Sequence, residues 1–510
     1  MADTSAAVAL NRVSTVLGYS ISAANFNPTS PNLPQRIALI AEVNHANQGT
    51  VTSNLPVQIT SAADAGATFG YGSPIHQAAR ILFPLNGGAV SCPVYVYPLL
   101  EAGGSTVFNT TITITGSTTA TKGGTAYIKV NGRTSLDGST YAVNYAAGIT
   151  RANMAIAIRD AVNAVLSSPT NSSAATNVVS LTSKWYGATA NAITISVIDN
   201  GGSGFTYAVL GGSASTGTPD ITGALTAFGN DWNTLVINGL GVDSGTWDIL
   251  EAYNGVPDKT NPTGRYIGTV MKPFVAFSGS VADYDTTETD SRLDQLTNVI
   301  APAPLSLGLP IEAAANICYL WANNLTNTPH LDIQNQAYPD MPLPLDASLP
   351  TITMNDYNNR DIYVQKGNST CAIQGGVYVV KDSVTTWHPI GEIPPAFRYV
   401  RTIMGQDMNY YYAWRLIELG NIIGHAILND NDTSTASTTV KPKQVKALIA
   451  KHAADMVNRA LIVDAAFVSA NSTVAIDSIN PDRLNIVMSY KRSGYTRIIA
   501  TTVNAGFNNG

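Results

Sequence analysis

Ile37-Ala38-Leu39-Ile40-Ala41, preceded by Arg36 and followed by Glu42, is a short, unbroken apolar run. Five apolar residues without alternation suit a strand buried on both faces, as in a sheet with helices on either side. Working outward, Ser61 to Thr68 and Ser73 to Leu85 read as helices. In the second, Ile75, Ala78, Ala79 and Leu82 recur at helical spacing and Pro74 fits the first turn. Val94-Tyr95-Val96-Tyr97 is a second strand, and strand, helices, strand in this order predict an α/β layer.

Upstream of this layer, residues 1–35 read as an arm. Val13, Val16, Leu17, Tyr19 and Ile21 supply apolar material, and Asn27-Pro28, Ser30-Pro31 and Leu33-Pro34 break regular structure. Downstream, 101–220 changes texture: eleven of its 120 positions are charged, and Gly, Thr and Ser dominate. Thr111 to Thr115 and Ile193 to Val197 alternate with period two, as half-exposed strands do. A helix near Arg151 to Leu166 places Met154, Ile158, Ala161 and Val165 on one face. These features predict a β-rich domain inserted into the α/β core, with Gly201 to Gly217 as loop or exit linker.

The α/β texture resumes over 221–397. Strands are expected at Thr234 to Asn238, Tyr266 to Val270 and Phe274 to Phe277. Helices are expected near Ser244 to Tyr253, Glu288 to Asn298 and Ile311 to Asn323. A Pro-punctuated stretch, 330–397, holds a hairpin of Ile362 to Val364 with Gly376 to Val380. Over 398–494, Phe397 to Leu428 and Lys441 to Val463 read as helices, separated by a polar stop at Asn429 to Asp432. A β segment around Ala465 to Ile476 follows, then Leu484, Ile486, Met488 and Tyr490 share one face of a strand. Tyr495 to Val503 is expected as a final strand within a C-terminal arm, 495–510, with Arg497, Ile499 and Val503 along it. The fold class is therefore mixed α/β, α+β in its details: a multidomain core carrying an inserted β-rich domain and two extended arms.

Composition narrows the function classes. The 510 residues are 45% hydrophobic but only 12% charged, against roughly 25% in an ordinary soluble domain. Such a surface is either uncharged and polar or hidden in an assembly. A net charge of −6 gives no global basic footprint for nucleic acid. Three distant cysteines, Cys92, Cys318 and Cys371, match no zinc spacing or disulfide framework, and the first residues show no signal peptide. No run of ~18 apolar residues predicts a membrane span. No phosphate-binding glycine motif, nucleophile elbow or histidine pair at ligand spacing occurs, so no catalytic, cofactor or metal site is expected. One cluster stands out: Lys441, Lys443, Lys446, Lys451 and Arg459 on one helix, opposed by Asp455. It reads as a solvated face or as a surface docking on an acidic partner.

Several stretches together resemble the contractile tail sheath family, in the branch similar to phage Mu. They are Arg36 to Glu42, Phe69-Gly70-Tyr71-Gly72-Ser73-Pro74, Pro93 to Leu99, Asn480-Pro481-Asp482-Arg483-Leu484-Asn485-Ile486 through Arg492, and Ile498 to Phe507. The resemblance spans most of the chain in the right order and is weakest over 101–220 and 330–397. It implies a structural subunit, not an enzyme, that forms hexameric rings stacked into a helical sheath around a tail tube protein. Baseplate and tail terminator proteins would be further partners, with no cofactor, no nucleic-acid contact and no membrane insertion. Contraction would drive the tube through the host envelope for genome ejection, in a virion assembled in the bacterial cytoplasm. The terminal segments would exchange strands between subunits, with Leu484 to Tyr490 in the receiving sheet. The Lys441 to Arg459 helix would face the tube. Alternatives are the sheath of a tail-like bacteriocin or injection system and, in another class, an α/β enzyme with a β-rich accessory domain.

Overall fold

Every residue of Ile37–Glu42 is buried, and in the computed structural model this strand lies inside a six-stranded sheet. The structure describes residues 31–346, 356–392, 395–503 and 505. Along the sheet the strands run Asn298–Pro302, Val275–Ser280, Leu235–Asn238, Ile37–Glu42, Val94–Leu99 and Val57–Ile59. All pairs are parallel except the last, at the edge. Because successive side chains point to opposite faces, Ile37, Leu39 and Ala41 join one apolar cluster while Ala38 and Ile40 join another. Helices Pro74–Leu82 and Pro310–Asn327 cover the first face; Thr222–Thr226 and Ser244–Asn254 cover the second. The unbroken apolar texture is the consequence of burial on both sides. Ser73 caps its helix through the His76 amide, with Pro74 in the first turn.

Residues between Val107 and Gly211 build a β-rich lobe with its own core. Four antiparallel strands run in the order Phe205–Gly211, Val107–Gly116, Val178–Tyr186 and Thr170–Ala175. Three more run Ile195–Asp199, Gly124–Val130 and Ala142–Tyr145. Ile112 and Ile114, alternating with threonines, pack against Met154, Ile158 and Val162 of helix Arg151–Ala164. The lobe is tied to the α/β layer by charge: Arg133 bonds Glu312 at 2.8 Å and Asp340 at 3.0 Å, and Arg80 bonds Asp137 at 2.7 Å.

Several local expectations are corrected. Gly201 to Gly217 is not all loop, because Phe205–Gly211 pairs along Val107–Gly116; its flanking glycines hid the strand. Tyr266 to Val270 is a 3-10 turn, Gly264–Tyr266, and following turns, not a strand. The helix expected over Glu288 to Asn298 is four residues long, Thr287–Asp290, and Asn298 opens the outermost parallel strand. The hairpin is Thr370–Gln374 with Val377–Asp382, turning at Gly375-Gly376, both at positive φ; Ile362 and Val364 lie on helix Tyr357–Gln365. Asp464 accepts from the Phe467 amide and starts a short helix, Ala465–Ala470, so β structure there is confined to Thr473–Ile476.

Candidate inter-subunit surfaces

The C-terminal region is organised by two helices, Met408–Asn421 and Pro442–Asn458. A π-helical stretch, Arg401–Asp407, leads into the first; there Gly405 lets the backbone approach so closely that a Cβ would lie 2.4 Å from the Pro329 carbonyl. Tyr410, Ala413 and Trp414 from one helix meet Val445, Ile449, Ala453 and Met456 from the other in a separate apolar cluster. Leu484, Ile486, Met488 and Tyr490 all pack against it, as their shared face predicts. The strand itself is Leu484–Val487, antiparallel to Thr473–Ile476 in register Leu484 with Ile476 and Ile486 with Val474. Among the described residues this sheet has two strands only, so each strand has an edge without a backbone partner.

The chain leaving this sheet is held by a polar bracket. The Tyr490 ring stacks on Tyr410 at 4.2 Å between centroids, and its hydroxyl donates to Asp407 at 2.8 Å. Arg492 donates to both Asp407 oxygens, at 2.8 and 2.7 Å, the forked geometry that favours Arg–carboxylate pairs. The Ser493 carbonyl accepts from Arg401 and from Gln406. Arg497 follows, 3.8 Å above the Tyr399 ring and paired with Asp332, whose side chain is fully buried. Burial pushes the Asp332 carboxyl up, and the Arg497 charge opposes that rise. Beyond this point the segment turns outward: Ile498 is 89% exposed, Ile499 79% and Val503 80%.

The expected terminal strand, Tyr495 to Val503, makes no strand pairing among the described residues of the single chain. Arg497, expected on a donated strand, is anchored in its own chain by Asp332. Val13, Val16, Leu17, Tyr19 and Ile21 lie outside the described residues.

The cationic helix also divides. It ends at Asn458, short of the expected Val463, and Ala460 beyond it is exposed at φ +56°. Lys441 and Lys443 fold back so that their ammonium groups donate to the Asp432 and Asp430 carbonyls. Their charge is spent closing the loop before the helix, where the helix dipole disfavours cations. Arg459 is corrected outright as a surface cation: its guanidinium is mostly buried and donates to Asn32 at 2.5 Å and Asn409 at 3.4 Å. Lys443, Lys446 and Lys451 are exposed on the helix, and Lys441 is half-buried at its start.

His452, one of the histidines without ligand spacing, sits on the same helix. Its ring is buried against Tyr410 at 4.4 Å and Trp414 at 5.6 Å, with no hydrogen-bond partner at either nitrogen among the described residues. Burial, then the Arg459 charge, lowers its pKa to about 4. The unfolded ring takes a proton below about 6.5 while the folded one does not, so this group withdraws stability as pH falls from about 6.5 to 4. By NMR, the His452 ring is expected to stay neutral at pH 5.5 and to titrate near 4; a midpoint above 6 would contradict the buried neutral ring.

In sequence, the class this chain resembles is the phage tail sheath protein. The relative is the Mu-like prophage FluMu tail sheath protein of Haemophilus influenzae, 23% identical over 472 residues, which cover 89% of this chain and 90% of that protein. No protein-family profile matches the chain. Solved structures similar to it include a sheath tail protein from Desulfitobacterium hafniense, at 11% identity and TM-score 0.42, covering 93% of this chain and 100% of that one. Another is a sheath tail protein from Listeria innocua, at 10% identity and TM-score 0.44, covering 92% and 94%. A third is a chain of the contracted anti-feeding prophage baseplate, at 11% identity and TM-score 0.45, covering 96% and 99%.

Proposed function

We propose that this chain is the structural subunit of a contractile tail sheath, which stacks as hexameric rings around a tail tube and contracts to drive it through a host envelope for genome ejection. The observation that carries this reading is the pairing of two unfinished surfaces in one region. An apolar segment leaves its anchor at Arg497 with Ile498, Ile499 and Val503 in solvent, and a two-stranded sheet of the same C-terminal region keeps open edges. Each surface lacks what the other has: an extended chain needs backbone partners, and an open edge offers them. A second copy of the chain completes both. Similarity to a tail sheath protein along nearly the whole length supports the same reading.

On this reading 498–510 is one donated strand, residues 8–21 are the other, and Leu484 to Val487 belongs to the receiving sheet. The 101–220 region is an inserted outer domain and 398–494 an inner domain. The Pro442–Asn458 helix faces the tube, with Lys443, Lys446 and Lys451 as its exposed cations. Baseplate and tail terminator proteins close the two ends, assembly takes place in the bacterial cytoplasm, and the finished sheath belongs to the virion. The subunit does no bond chemistry. Contraction is a change between two packings of rigid subunits about flexible joints.

Negative-stain electron microscopy of the purified full-length chain tests this reading. Tubes or stacked rings are expected. Only compact, monodisperse particles at high concentration would count decisively against it.

A further inference from the structure

Glu42 ends the central strand of the α/β sheet and is fully buried, yet among the described residues it has no cationic partner. Its contact is with the β-rich lobe. The Thr189 hydroxyl lies 2.8 Å from each Glu42 oxygen and accepts from the Trp185 indole N–H at 2.8 Å. One hydroxyl carries one proton, so it can satisfy one carboxylate oxygen and not both. The carboxyl fits this surrounding as an acid, with its own proton on the second oxygen. Gly187, at φ +135°, brings the lobe's backbone against the group: a Cβ there would lie 2.6 Å from Oε1. A cavity of about 400 Å³ opens beside the contact, bounded by Trp185 and Thr189 of the lobe and by Glu42, Asp243 and Ser280 of the sheet layer.

We propose that the Glu42–Thr189–Trp185 contact is a proton-dependent joint, by which the β-rich lobe docks on the central sheet while Glu42 is protonated and loosens when it is not. The charged groups around it act in one direction. Glu101, on the segment entering the lobe, repels an ionised Glu42, and Asp243 borders the same cavity. No lysine or arginine lines that cavity. The neighbouring imidazole, His45, is 2.8 Å from Glu101 and stacked on Tyr186 of the lobe at 4.1 Å. Burial pushes the Glu42 carboxyl up to about 8, the Thr189 bond pulls against the rise, and Glu101 adds to it. The cavity gives the joint room to open without compressing either side.

The sign follows from linkage. Released into water, Glu42 ionises around its ordinary value of 4.5, whereas docked it holds its proton to about 8. Docking therefore weakens about tenfold per pH unit from about 5 to 8 and is flat above. The Arg133–Glu312–Asp340 and Arg80–Asp137 pairs keep the lobe attached, so what opens is the edge near Glu42 and not the whole lobe.

Hydrogen exchange on the full-length chain reads this directly. After correction for intrinsic exchange, the opening of residues 187–193 is expected to rise about tenfold per unit from pH 5.5 to 8 and then level off. Glu42→Gln keeps the shape without the titrating proton and is expected to give a flat profile. A flat wild-type profile, or an unchanged slope in Glu42→Gln, would overturn the proposal. Should that variant not fold, ¹³C titration of the wild-type glutamate carboxyls decides: a resonance with a midpoint near 8 supports the joint, and its absence refutes it.

Discussion

Removing residues 498–510 should abolish polymer formation while leaving a folded monomer. The cut falls just past Arg497, so the Arg497–Asp332 pair and the Asp407 bracket stay whole. What is lost within the described part is exposed chain, Ile498, Ile499 and Val503, which contributes almost nothing to burial within the subunit. Thermal midpoint should change little, by amounts typical of surface changes. Assembly should be lost, because strand addition draws its affinity from the backbone hydrogen bonds of the added strand. Electron microscopy and sedimentation check both halves. Tubes formed by the truncated chain would remove the C-terminal arm from the mechanism. A cut before Tyr495 is a poorer experiment, since it also orphans Asp332.

That orphaning is the second large effect. Arg497→Ala leaves a fully buried carboxylate whose guanidinium partner is gone, while the Tyr399 face loses its stacked cation. Breaking a buried pair from one side costs about 3–5 kcal/mol. The cost should depend on pH with a definite sign. Without Arg497 the largest opposition to burial is gone and mainly the Ile333 and Gln334 amides still pull the Asp332 carboxyl down, so folding favours its protonated form more strongly. The deficit against wild type is then full near neutral pH and shrinks as pH falls toward the ordinary aspartate range. Urea unfolding at pH 7 and 5 measures it, and Arg497→Ala combined with Asp332→Ala should recover part of the loss. A deficit below about 1 kcal/mol would mean that the pair is a surface contact in effect.

His452 and Glu42 belong beside Asp332 as buried ionisable groups, but they differ in the direction of their effects. His452 withdraws stability as pH falls. Glu42, raised to about 8, supports docking most at low pH. Acid stability of the whole chain is therefore a balance, and only variants at single positions separate its parts.

The α/β layer was legible in the sequence because burial on both faces leaves a local mark. Ile37 to Ala41 has no alternation to lose, and Ser73-Pro74 states a helix start in two residues. The shared face of Leu484, Ile486, Met488 and Tyr490 was equally local, being a matter of period two. Short elements escaped. Asn298–Pro302 is only five residues, opened by Asn and closed by Pro, and becomes a strand because Val275–Ser280 offers it a parallel edge. Phe205–Gly211 becomes one because Val107–Gly116 lies alongside.

The ionic contacts were illegible for a stronger reason. Asp407 and Arg492 stand 85 positions apart, Asp332 and Arg497 165 apart, and Glu42 and Thr189 147 apart. Composition and spacing do not encode such meetings. The same limit hid how the fold sorts the five charges of the cationic helix: Lys441 and Lys443 bond the preceding loop, Arg459 is a buried tie, and Lys446 and Lys451 stay exposed on the helix. The sequence by itself determined the layers, through hydrophobic period and helix caps, which are properties of neighbouring residues. Tertiary structure alone decided which charges are buried, which pairs close and where the C-terminal segment leaves its anchor, because desolvation and ion pairing depend on what the chain brings together from afar.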